Sequence, residues 1–274
     1  MSNKKRVFIT GGASGLGKAL AEKYAKEGYA VCIGDINDDE GKAVVHELAQ
    51  KYTVDVIFKH CDVTSESSLQ KVADELLQEW DGVDVVINNA GVATSASIDG
   101  GSLDDWEWVI NINLLGVVRG CKVFTPVFKR QGSGYFINIA SMAGIIHLPL
   151  MGSYNATKAA VVALSETLKM ELADDNIGVT VVCPSFFKTN LDATMRSNEQ
   201  MKQTVRKLFD KSPINAEDVA KMVYDAHQKE DFYVITHKKG KTAFWMKKLL
   251  PTKIYHQNLY KETKAFRKKK SGSS

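Results

Sequence analysis

The sequence predicts an α/β fold in which strands and helices alternate along the chain. Seven short apolar runs have the length of strands, and segments with helical periodicity separate them, such as Gly15 to Glu27 and Leu69 to Trp80. This alternation is typical of repeated βαβ units on a parallel sheet. The predicted strands are Arg6 to Thr10, Ala30 to Asp35, Val54 to His60, Val83 to Asn88, Tyr135 to Ala140, Val179 to Cys183 and Phe232 to Ile235.

Length and composition favour one large domain. The 274 residues are 44% hydrophobic and 25% charged, which is enough to bury a full α/β core. No repeat of fixed period and no low-complexity linker interrupts the first part of the chain, so we expect one domain over residues 1–237 and a tail over residues 238–274. No apolar segment is long enough to span a bilayer, and the apolar run after the basic N-terminus is too short for a signal peptide.

The cysteines indicate a reducing compartment. Cys32, Cys61, Cys121 and Cys183 are widely separated, and the chain has no Cys-x-x-Cys pair and no His/Cys cluster at metal-ligand spacing. We therefore expect reduced, buried thiols in a cytoplasmic protein that needs no metal.

The net charge of +4 is unevenly distributed. From Lys238 to Lys270 the chain has twelve Lys or Arg residues and a single acid, Glu262, which gives this segment a net charge of +11. The first 237 residues therefore carry about −7. The basic character belongs to the tail.

A glycine-rich segment, TGGASGLG at residues 10–17, directly follows the first predicted strand. Glycine permits a sharp turn into a helix, and it allows a pyrophosphate to approach the free N–H groups at the helix N-terminus. The spacing Gly11-x-x-x-Gly15-x-Gly17 differs from the common G-x-G-x-x-G fingerprint. A glycine turn with a purely structural role is the alternative.

Asp35 ends the second predicted strand, eighteen residues after Gly17. A carboxylate at this place can accept hydrogen bonds from both hydroxyls of an adenosine ribose, and it repels a 2′-phosphate. Neither Ser14 nor Ile36 supplies a cation that would bind such a phosphate. We therefore expect NAD, with NADP less favoured; a helix-capping role suits Asp38 better than Asp35.

Candidate catalytic groups follow in Ser141, Tyr154 and Lys158. Tyr and Lys four residues apart share a helix face, so the ammonium could lower the phenol pKa from roughly 10 toward working pH. A second pair with this spacing, Tyr260 and Lys264, lacks a serine at a strand end thirteen residues upstream, and we interpret it as coincidence.

With these motifs in place, residues 5 to about 236 closely resemble the short-chain dehydrogenase/reductase family. The resemblance rests on TGGASGLG, Asp62-Val63, NNAG at 88–91, Asn113 in NLLG, Ser141, YNATK at 154–158 and the run from Pro184 to Thr189. It implies a Rossmann-type, doubly wound, seven-stranded parallel sheet with helices on both faces, and a homodimer or homotetramer.

The resemblance also implies the role of each residue. Asp62 and Val63 would hold the adenine, Asn89 and Ala90 would pass beside the nicotinamide ribose, and Asn113 would hold a water that relays protons to Lys158. The catalytic set is Ser141, Tyr154, Lys158 and Asn113. The cofactor-binding set is Gly11, Ser14, Gly15, Leu16, Gly17, Asp35, Asp62, Val63, Asn89, Ala90, Gly91, Tyr154, Lys158, Pro184 and Thr189.

The implied reaction is the reversible oxidation of an alcohol to a carbonyl with NAD(P). The hydroxyl would be held by Ser141 and Tyr154, and Tyr154 would take its proton. A noncatalytic NAD-binding regulator on the same fold is the alternative, although such a protein has no need of an acid/base group. The chain departs from the family pattern at Ser185, where glycine is usual. This departure matters because serine, unlike glycine, does not easily adopt positive φ.

Apolar residues after Ser141 and after Pro184 suggest a lipophilic substrate such as a sterol, a retinoid or a long-chain alcohol. They could equally pack a lid against the core. The residues are Ile145, Ile146, Leu148, Leu150, Met151, Phe186, Phe187, Leu191, Met195 and Met201.

The tail resembles a basic amphipathic segment at a membrane surface. Trp245, Met246, Leu249 and Leu250 are expected on one helical face, with Lys247 and Lys248 on the other, and RKKK follows at 267–270. Packing of this helix on the domain or on a second subunit is the alternative. Nucleic acid is not expected as a partner, because the aromatic residues do not interleave with the basic ones.

Overall fold

The seven strands among the described residues form one parallel sheet, in the order β3-β2-β1-β4-β5-β6-β7. The computed structural model describes residues 5–189, 191 and 194–264. The predicted sheet is confirmed, and the predicted strand limits agree with the observed ones to within two residues. The strands are β1 (Arg6–Thr10), β2 (Ala30–Asp35), β3 (Val56–His60), β4 (Val85–Asn88), β5 (Gly134–Ile139), β6 (Ile177–Cys183) and β7 (Tyr233–Ile235).

Helices follow the strands and cover both faces of the sheet. Side chains at the N-caps Asn37, Ser65, Ser102, Asn198 and Asn215 accept a hydrogen bond from the first turn of their helices, which fixes where those helices begin. The helices are α1 (Gly15–Lys26), α2 (Asp38–Lys51), α3 (Glu66–Trp80), α4 (Leu103–Ile110), α5 (Gly116–Gln131), α6 (Gly152–Glu171), α7 (Glu199–Asp210), α8 (Ala216–Lys229), α9 (Lys238–Leu249) and α10 (Thr252–Glu262).

Two hydrophobic cores lie on opposite faces of the sheet, because successive strand residues point to opposite sides. Phe8 of β1 packs with Phe124 of α5 and the residues of α3 on one face. Val7 and Ile9 pack with α1, α2 and α8 on the other. The runs of strand residues are therefore continuously apolar, as is typical of a sheet that is covered on both sides.

The four cysteines are free and buried, as the sequence predicts. Burial in apolar surroundings raises the pKa of the Cys61, Cys121 and Cys183 thiols to about 12. These thiols are therefore protonated core residues.

The first helix of the tail, α9, packs on the domain through Phe244, which is buried in the core cluster that contains Met142 and Ile145. Trp245, with 56% of its surface exposed, and Leu249, with 73% exposed, lie away from the domain. The division of the chain at residue 238 stays a prediction.

The predicted faces of this helix need one correction. Lys247 donates a hydrogen bond to the backbone oxygen of Ile145, and the Lys248 ammonium lies 4.4 Å from the centroid of the Phe244 ring. These two lysines are therefore directed toward the domain, and the apolar side chains face the solvent, because Phe244 determines which side of the helix is packed. Leu250 lies beyond the last turn. RKKK at 267–270 lies outside the described residues.

Within the described part of the chain, no helix is both long and apolar enough to cross a membrane.

A half-buried histidine is expected to make the stability of the fold depend on pH. His227 lies within 6.4 Å, between ring centroids, of Tyr24, Tyr29, Tyr135 and Tyr224, and its Nδ1 is 2.9 Å from the Tyr24 hydroxyl. Burial, with a smaller contribution from the charge of Lys5, lowers the pKa of His227 to about 4. The neutral ring is therefore the stable form in the folded protein.

We predict that stability falls as the pH is lowered from 6.5 to 4, because the unfolded chain then binds a proton that folded His227 does not. The full shift is worth roughly 3 kcal/mol, which partial exposure of the ring reduces to about 2 kcal/mol. Urea unfolding at pH 7.0 and 4.5 would measure this difference. His227→Phe should reduce it, whereas the same change at exposed His46 should leave it as in the wild type.

Candidate active site

A cavity of about 1030 Å³ opens at the carboxyl ends of the central strands, where ligands bind in open parallel sheets. Every residue predicted for the site lines this cavity, with the exception of Asn113. The described lining also includes residues of α4, α7 and α9 that were not predicted.

The glycine loop after β1 is shaped by backbone conformations and contacts that exclude side chains. Gly11 and Gly15 have φ values of +63° and +52°, in the left-handed region. A Cβ on Gly17 would lie 2.0 Å from the backbone oxygen of Gly11 and 2.7 Å from Nδ2 of Asn89. The first turn of α1 therefore lies directly against the loop, and Ser14, Gly15 and Leu16 face the cavity beside it.

Hydrogen bonds join this loop to the segment that follows β4. The Thr10 hydroxyl accepts from the backbone N–H groups of Asn89 and Ala90, at 3.0 and 3.1 Å. The Asn89 amide in turn donates to the backbone oxygens of Thr10 and Gly11, at 2.9 and 3.0 Å. Four hydrogen bonds therefore hold the two halves of the cavity floor together.

Asp35 stands at the carboxyl end of β2 with its carboxylate fixed. One oxygen accepts from the backbone N–H of Ala13 and the other from that of Asn37, both at 3.1 Å. Asp35 lines the cavity together with Ile36, Asn37 and Glu40. This end of the cavity is therefore acidic.

Asp62 and Val63 follow β3 on the same side. The Asp62 carboxylate accepts from the backbone N–H and the hydroxyl of Thr64, at 2.8 and 2.7 Å, which fixes the turn. Val63 is buried, and Gly116 at the start of α5 leaves room for it, since a Cβ there would lie 3.0 Å from a Val63 methyl group.

Ser141 and Tyr154 face the cavity from the end of β5 and the first turn of α6. The Ser141 hydroxyl donates to the backbone oxygen of Pro184 at 3.4 Å and accepts from the N–H of Ala143 at 3.1 Å, which caps a 3₁₀ turn over Met142–Gly144. Burial raises the pKa of Tyr154, and a hydrogen bond with Ser141 opposes this rise.

Lys158 lies one turn beyond Tyr154 on α6 and is 3% exposed. Its ammonium donates to the backbone oxygen of Ile139 at 2.8 Å and lies 5.9 Å from the centroid of the Tyr154 ring. Burial lowers the pKa of Lys158 to about 8. The expectation that Lys158 lowers the pKa of Tyr154 is wrong for the protein alone, because burial outweighs the hydrogen bond with Ser141 and the ammonium is held at Ile139.

Asn113 lies behind the cavity in a π-helical turn, Asn111–Leu115, between α4 and α5. Its amide donates to the backbone oxygen of Val92 and accepts from the N–H of the same residue, both at 2.8 Å. A Cβ on Gly91 would lie 3.3 Å from Oδ1 of Asn113 and 3.5 Å from Nζ of Lys158. The asparagine and the lysine therefore lie close together on either side of Gly91.

Pro184 and Thr189 line the cavity after β6. Ser185, which stands where the family usually has glycine, is not among the described residues with positive φ. The chain therefore passes Ser185 in a conformation that a serine can adopt.

The end of the cavity beyond Tyr154 is apolar. Val109, Met195, Val205 and Phe209 form a buried cluster with Tyr154, and other apolar residues pack around them. Of the predicted apolar residues, those that line the cavity are Ile146, Leu148, Met151, Phe186, Phe187, Leu191 and Met195.

Three of the predicted lining residues lie elsewhere. Ile145 is buried in the main core, and Met201 packs against the apolar cluster from outside. Leu150 lines a second cavity of about 330 Å³ and has a φ of +66°, so its side chain is turned away from the main cavity. Sequence could not place Ile145 and Leu150, because their loop does not continue the periodicity of either neighbouring element. Met201 lies in the first turn of α7, where the packing of the helix decides which residues reach the cavity.

Several residues of the site were not predicted. Trp108 on α4 and both Val205 and Phe209 on α7 line the apolar end, as do Lys239 and Ala243 on α9. The apolar spacing of Val205 and Phe209, four residues apart on one helix face, is the signal that could have identified a packed face there.

A buried polar network supports the site from within the sheet. Asn88, the first residue of NNAG, donates to Asn138 of β5 at 2.9 Å, and Asn138 donates to Ser165 of α6 at 3.0 Å. Gly120 makes room for the Asn88 side chain, because a Cβ on residue 120 would lie 2.1 Å from Oδ1 of Asn88. The network fixes β4, β5 and α6 relative to one another.

The doubly wound parallel sheet, the glycine loop and the group of Ser141, Tyr154 and Lys158 at one cavity are together typical of nucleotide-dependent oxidoreductases. The family model described as short chain dehydrogenase matches residues 5–200. The chain belongs to the short-chain dehydrogenase/reductase family and is accordingly an NAD(P)-dependent oxidoreductase that acts on CH–OH and carbonyl groups.

Similar proteins include a 3-oxoacyl-(acyl-carrier-protein) reductase of Thermotoga maritima, 32% identical over 237 residues, which cover 84% of this chain and 93% of the relative. A 3-alpha-(or 20-beta)-hydroxysteroid dehydrogenase of Mycobacterium tuberculosis is 34% identical over 185 residues, covering 68% of this chain and 70% of the relative. A crystal structure of a short chain dehydrogenase/reductase from Burkholderia phymatum, in complex with NAD, has a TM-score of 0.84 and 31% identity, with 89% of this chain and 92% of that chain covered.

We predict that Gly17→Ala destabilises the protein by about 2 kcal/mol and disrupts the loop, because the new methyl group would overlap the Gly11 backbone oxygen. Thermal unfolding measures the loss. The control is Gly152→Ala, where a Cβ would meet only the Trp106 ring, at 3.6 Å. Equal melting temperatures for the two variants would contradict the packing described for the loop.

Proposed function

We propose that the chain is an NAD-preferring dehydrogenase/reductase that interconverts a lipophilic alcohol and its carbonyl, with Tyr154 as the general acid/base. The proposal rests mainly on one observation: Ser141 and Tyr154 face the same cavity as the glycine loop, at its junction with the apolar end. A substrate oxygen can therefore reach both hydroxyls while its apolar body stays out of water.

The residues that line the cavity fit NAD. The glycine loop leaves space for a pyrophosphate near the first turn of α1, and Gly11, Ser14, Gly15, Leu16 and Gly17 would hold it. At the adenosine end, Asp35 would bind the ribose, and Asp62 and Val63 would hold the adenine. At the other end, the nicotinamide ribose would be contacted by Asn89, Ala90, Gly91 and Lys158. Thr189, which follows Pro184 after β6, would bind the carboxamide. When bound, NAD supplies a nicotinamide ring that accepts hydride from the alcohol carbon.

In the oxidation direction, the Ser141 hydroxyl and the Tyr154 oxygen would hold the alcohol, and ionised Tyr154 would take the hydroxyl proton as the carbonyl forms. In reduction, Tyr154 would return that proton to the oxygen. The Ser141 hydroxyl would stabilise the ionised phenol when it donates its proton to the phenol oxygen in place of the Pro184 oxygen. The Lys158 ammonium lies close to the Tyr154 ring. It would stabilise the ionised phenol further once the nicotinamide ribose is bound and the hydrogen bonds of the ammonium rearrange around it.

Asn113 would support a proton path from Lys158 to the solvent. Its side-chain oxygen and the Lys158 ammonium both approach Gly91, at 3.3 and 3.5 Å from where a Cβ would stand, and both of its hydrogen bonds go to Val92. We propose that a water held near Asn113 completes this path.

The preference for NAD follows from the charges at the adenosine end. Asp35, Glu40 and Asp62 line that end of the cavity. The two cations in the described lining, Lys158 and Lys239, belong to the end that contains Tyr154 and Met142. A 2′-phosphate would therefore meet fixed negative charge without a compensating cation.

The apolar cluster around Tyr154 supports a lipophilic substrate. A cavity of this size accommodates a cofactor together with a large apolar molecule, and ligand pockets of this kind hold such molecules by burying their surface. The name of one relative, a hydroxysteroid dehydrogenase, agrees with a sterol-like substrate.

Tyr154→Phe should abolish turnover, with a loss of at least about 10³-fold, because it removes the oxygen that exchanges the proton. NAD binding should be retained within a few-fold, as measured by isothermal titration. A screen of secondary alcohols with NAD, followed by NADH absorbance, would identify the substrate first. Full activity in Tyr154→Phe would refute the proposed role.

Asp35→Ala should weaken NAD binding about tenfold and narrow the discrimination against NADP, because it removes a ribose acceptor and a negative charge. The ratio of kcat/KM for the two cofactors measures the effect, with Asp38→Ala as the control for loss of a nearby carboxylate. A wild-type enzyme that already prefers NADP would contradict the role of Asp35.

We also propose that the protein forms a homodimer or homotetramer. Among the described residues outside the tail and the main cavity, four large apolar side chains are exposed, and their burial against a second copy would be favourable. They are Ile98, Leu103, Leu115 and Met170.

We propose further that the enzyme is located in the cytoplasm and that it binds anionic membrane surfaces through α9 and α10. Trp245, Leu249 and Ile254 expose their apolar side chains on these two helices. Lysines 238, 241, 253 and 261 are exposed on the same helices. Each cation near an anionic leaflet contributes roughly 1 kcal/mol, and each buried Å² of apolar surface adds about 25 cal/mol.

The double variant Trp245→Ser, Leu249→Ser should lose most sedimentation with anionic liposomes, because its cations alone give attraction that salt screens. Met170→Ser, which removes an exposed apolar residue elsewhere, is the control. Binding should be weak on neutral lipid. If the wild type and the double variant sediment equally on anionic lipid at low and high salt, this face of the tail has no membrane role.

A further inference from the structure

The inward face of α9 lies against the loop that carries Ser141. A Cβ on Gly240 would be 3.3 Å from the sulfur of Met142, the residue after Ser141, and 3.2 Å from a methyl group of Ile235. Both distances are shorter than ordinary van der Waals contacts, so α9 can occupy this place because residue 240 has no side chain. The helix therefore contacts the segment next to a proposed catalytic residue.

The next turns of α9 continue this contact. Phe244 is 8% exposed and belongs to the same buried cluster as Met142 and Ile145. On the same helix, Lys239, Gly240 and Ala243 line the cavity. The tail helix is therefore part of the cavity wall at the end where the substrate would bind.

Lys247, one turn after Phe244, makes a directed polar contact with the loop. Its ammonium donates to the backbone oxygen of Ile145 at 2.5 Å. Ile145 is the residue that ends the 3₁₀ turn capped by Ser141. Carbonyl groups at the end of a helical turn need a partner from outside the turn, and a charged donor is a strong one.

We propose that Lys247 is a positioning residue for the reaction: its ammonium, held on the Ile145 carbonyl, fixes the loop from Ser141 to Met151 against the substrate. This inference rests on the proposed function of the site, and it gives α9 a role in positioning the substrate that is separate from membrane binding.

The loop from Ser141 to Met151 is held by hydrogen bonds at separate points along its length. Each of these bonds therefore holds a different part of the loop. At its start, Ser141 donates to the Pro184 oxygen, and toward its end the oxygens of Leu148 and Leu150 accept from Asn155 and Ser95. Lys247 holds the intervening part. Ile146 and Leu148, which directly follow this part, line the apolar end of the cavity. Loss of the Lys247 anchor would therefore loosen the wall that contacts the substrate.

Lys247→Met tests the proposal, because methionine keeps a long unbranched side chain and removes the donor. We expect kcat/KM for the alcohol to fall about tenfold, mainly through a higher KM, while the Kd for NAD stays within twofold of the wild type. Lys247→Arg, which retains a charged donor, should restore most of the loss.

The matched control is Lys248→Met. This substitution removes the same charge at the neighbouring position, where the ammonium lies over the Phe244 and Tyr233 rings instead of on the loop. We expect kinetic constants within twofold of the wild type. Kinetics are measured below the onset of thermal unfolding of every variant, so that lost stability is not mistaken for lost positioning.

A second readout does not depend on activity. Burial lowers the pKa of His147, which lies in the same loop, and the charge of Lys247 lowers it further by a smaller amount. In Lys247→Met, the His147 pKa measured by NMR should therefore rise toward its usual value, and in Lys248→Met it should not. An unchanged His147 pKa in Lys247→Met would overturn the placement of Lys247 on the loop, whatever the activity.

Failure of this inference differs from failure of the proposed function. If the wild type transfers no hydride from any alcohol, the proposed function fails, and the His147 titration still decides whether Lys247 holds the loop. If the wild type is active and Lys247→Met has the same KM and kcat as Lys248→Met, the positioning role is overturned and the proposed function stands.

Discussion

The hydrogen bonds between Thr10 and the Asn89–Ala90 segment are the interaction on which the site depends. They join β1 to β4, the two adjacent strands from which the sheet extends in opposite directions. At such a point the loops after the two strands separate and leave a crevice. Here the Asn89 amide closes the floor of that crevice by holding the glycine loop, so the loop proposed to hold the pyrophosphate and the residues proposed beside the nicotinamide are fixed relative to one another.

Burial, more than charge, determines the electrostatics of Tyr154 and Lys158. Enclosure raises the pKa of the phenol and lowers that of the ammonium to about 8, so each change disfavours the ionised form. The sequence places the two groups on one helix face, but spacing does not reveal where the ammonium makes its hydrogen bond. In the fold it donates to Ile139, and its effect on the phenol depends on what else occupies the cavity.

The C-terminal segment has two faces with different partners. Phe244 directs one side of α9 into the core, and this orientation brings Lys247 to the Ile145 carbonyl while Trp245 and Leu249 remain in solvent. A count of charges treats all lysines of the tail alike. The fold separates them, because the Ile145 backbone oxygen, in the loop after Ser141, lies within reach of Lys247, and aromatic rings lie beneath Lys248.

The sequence by itself determined the class of fold, the order of its strands and helices, and the membership of most of the site, because these follow from local periodicity and from short motifs at strand ends. Parallel strands bring their carboxyl ends to one edge, so residues as distant as Asp35 and Tyr154 could be assigned to one cavity. Only the tertiary structure decided what packing controls: the orientation of α9, the turned side chain of Leu150 and the enclosure of Tyr154. These features depend on contacts between residues far apart in the chain, such as Gly240 with Met142, and no local pattern records them.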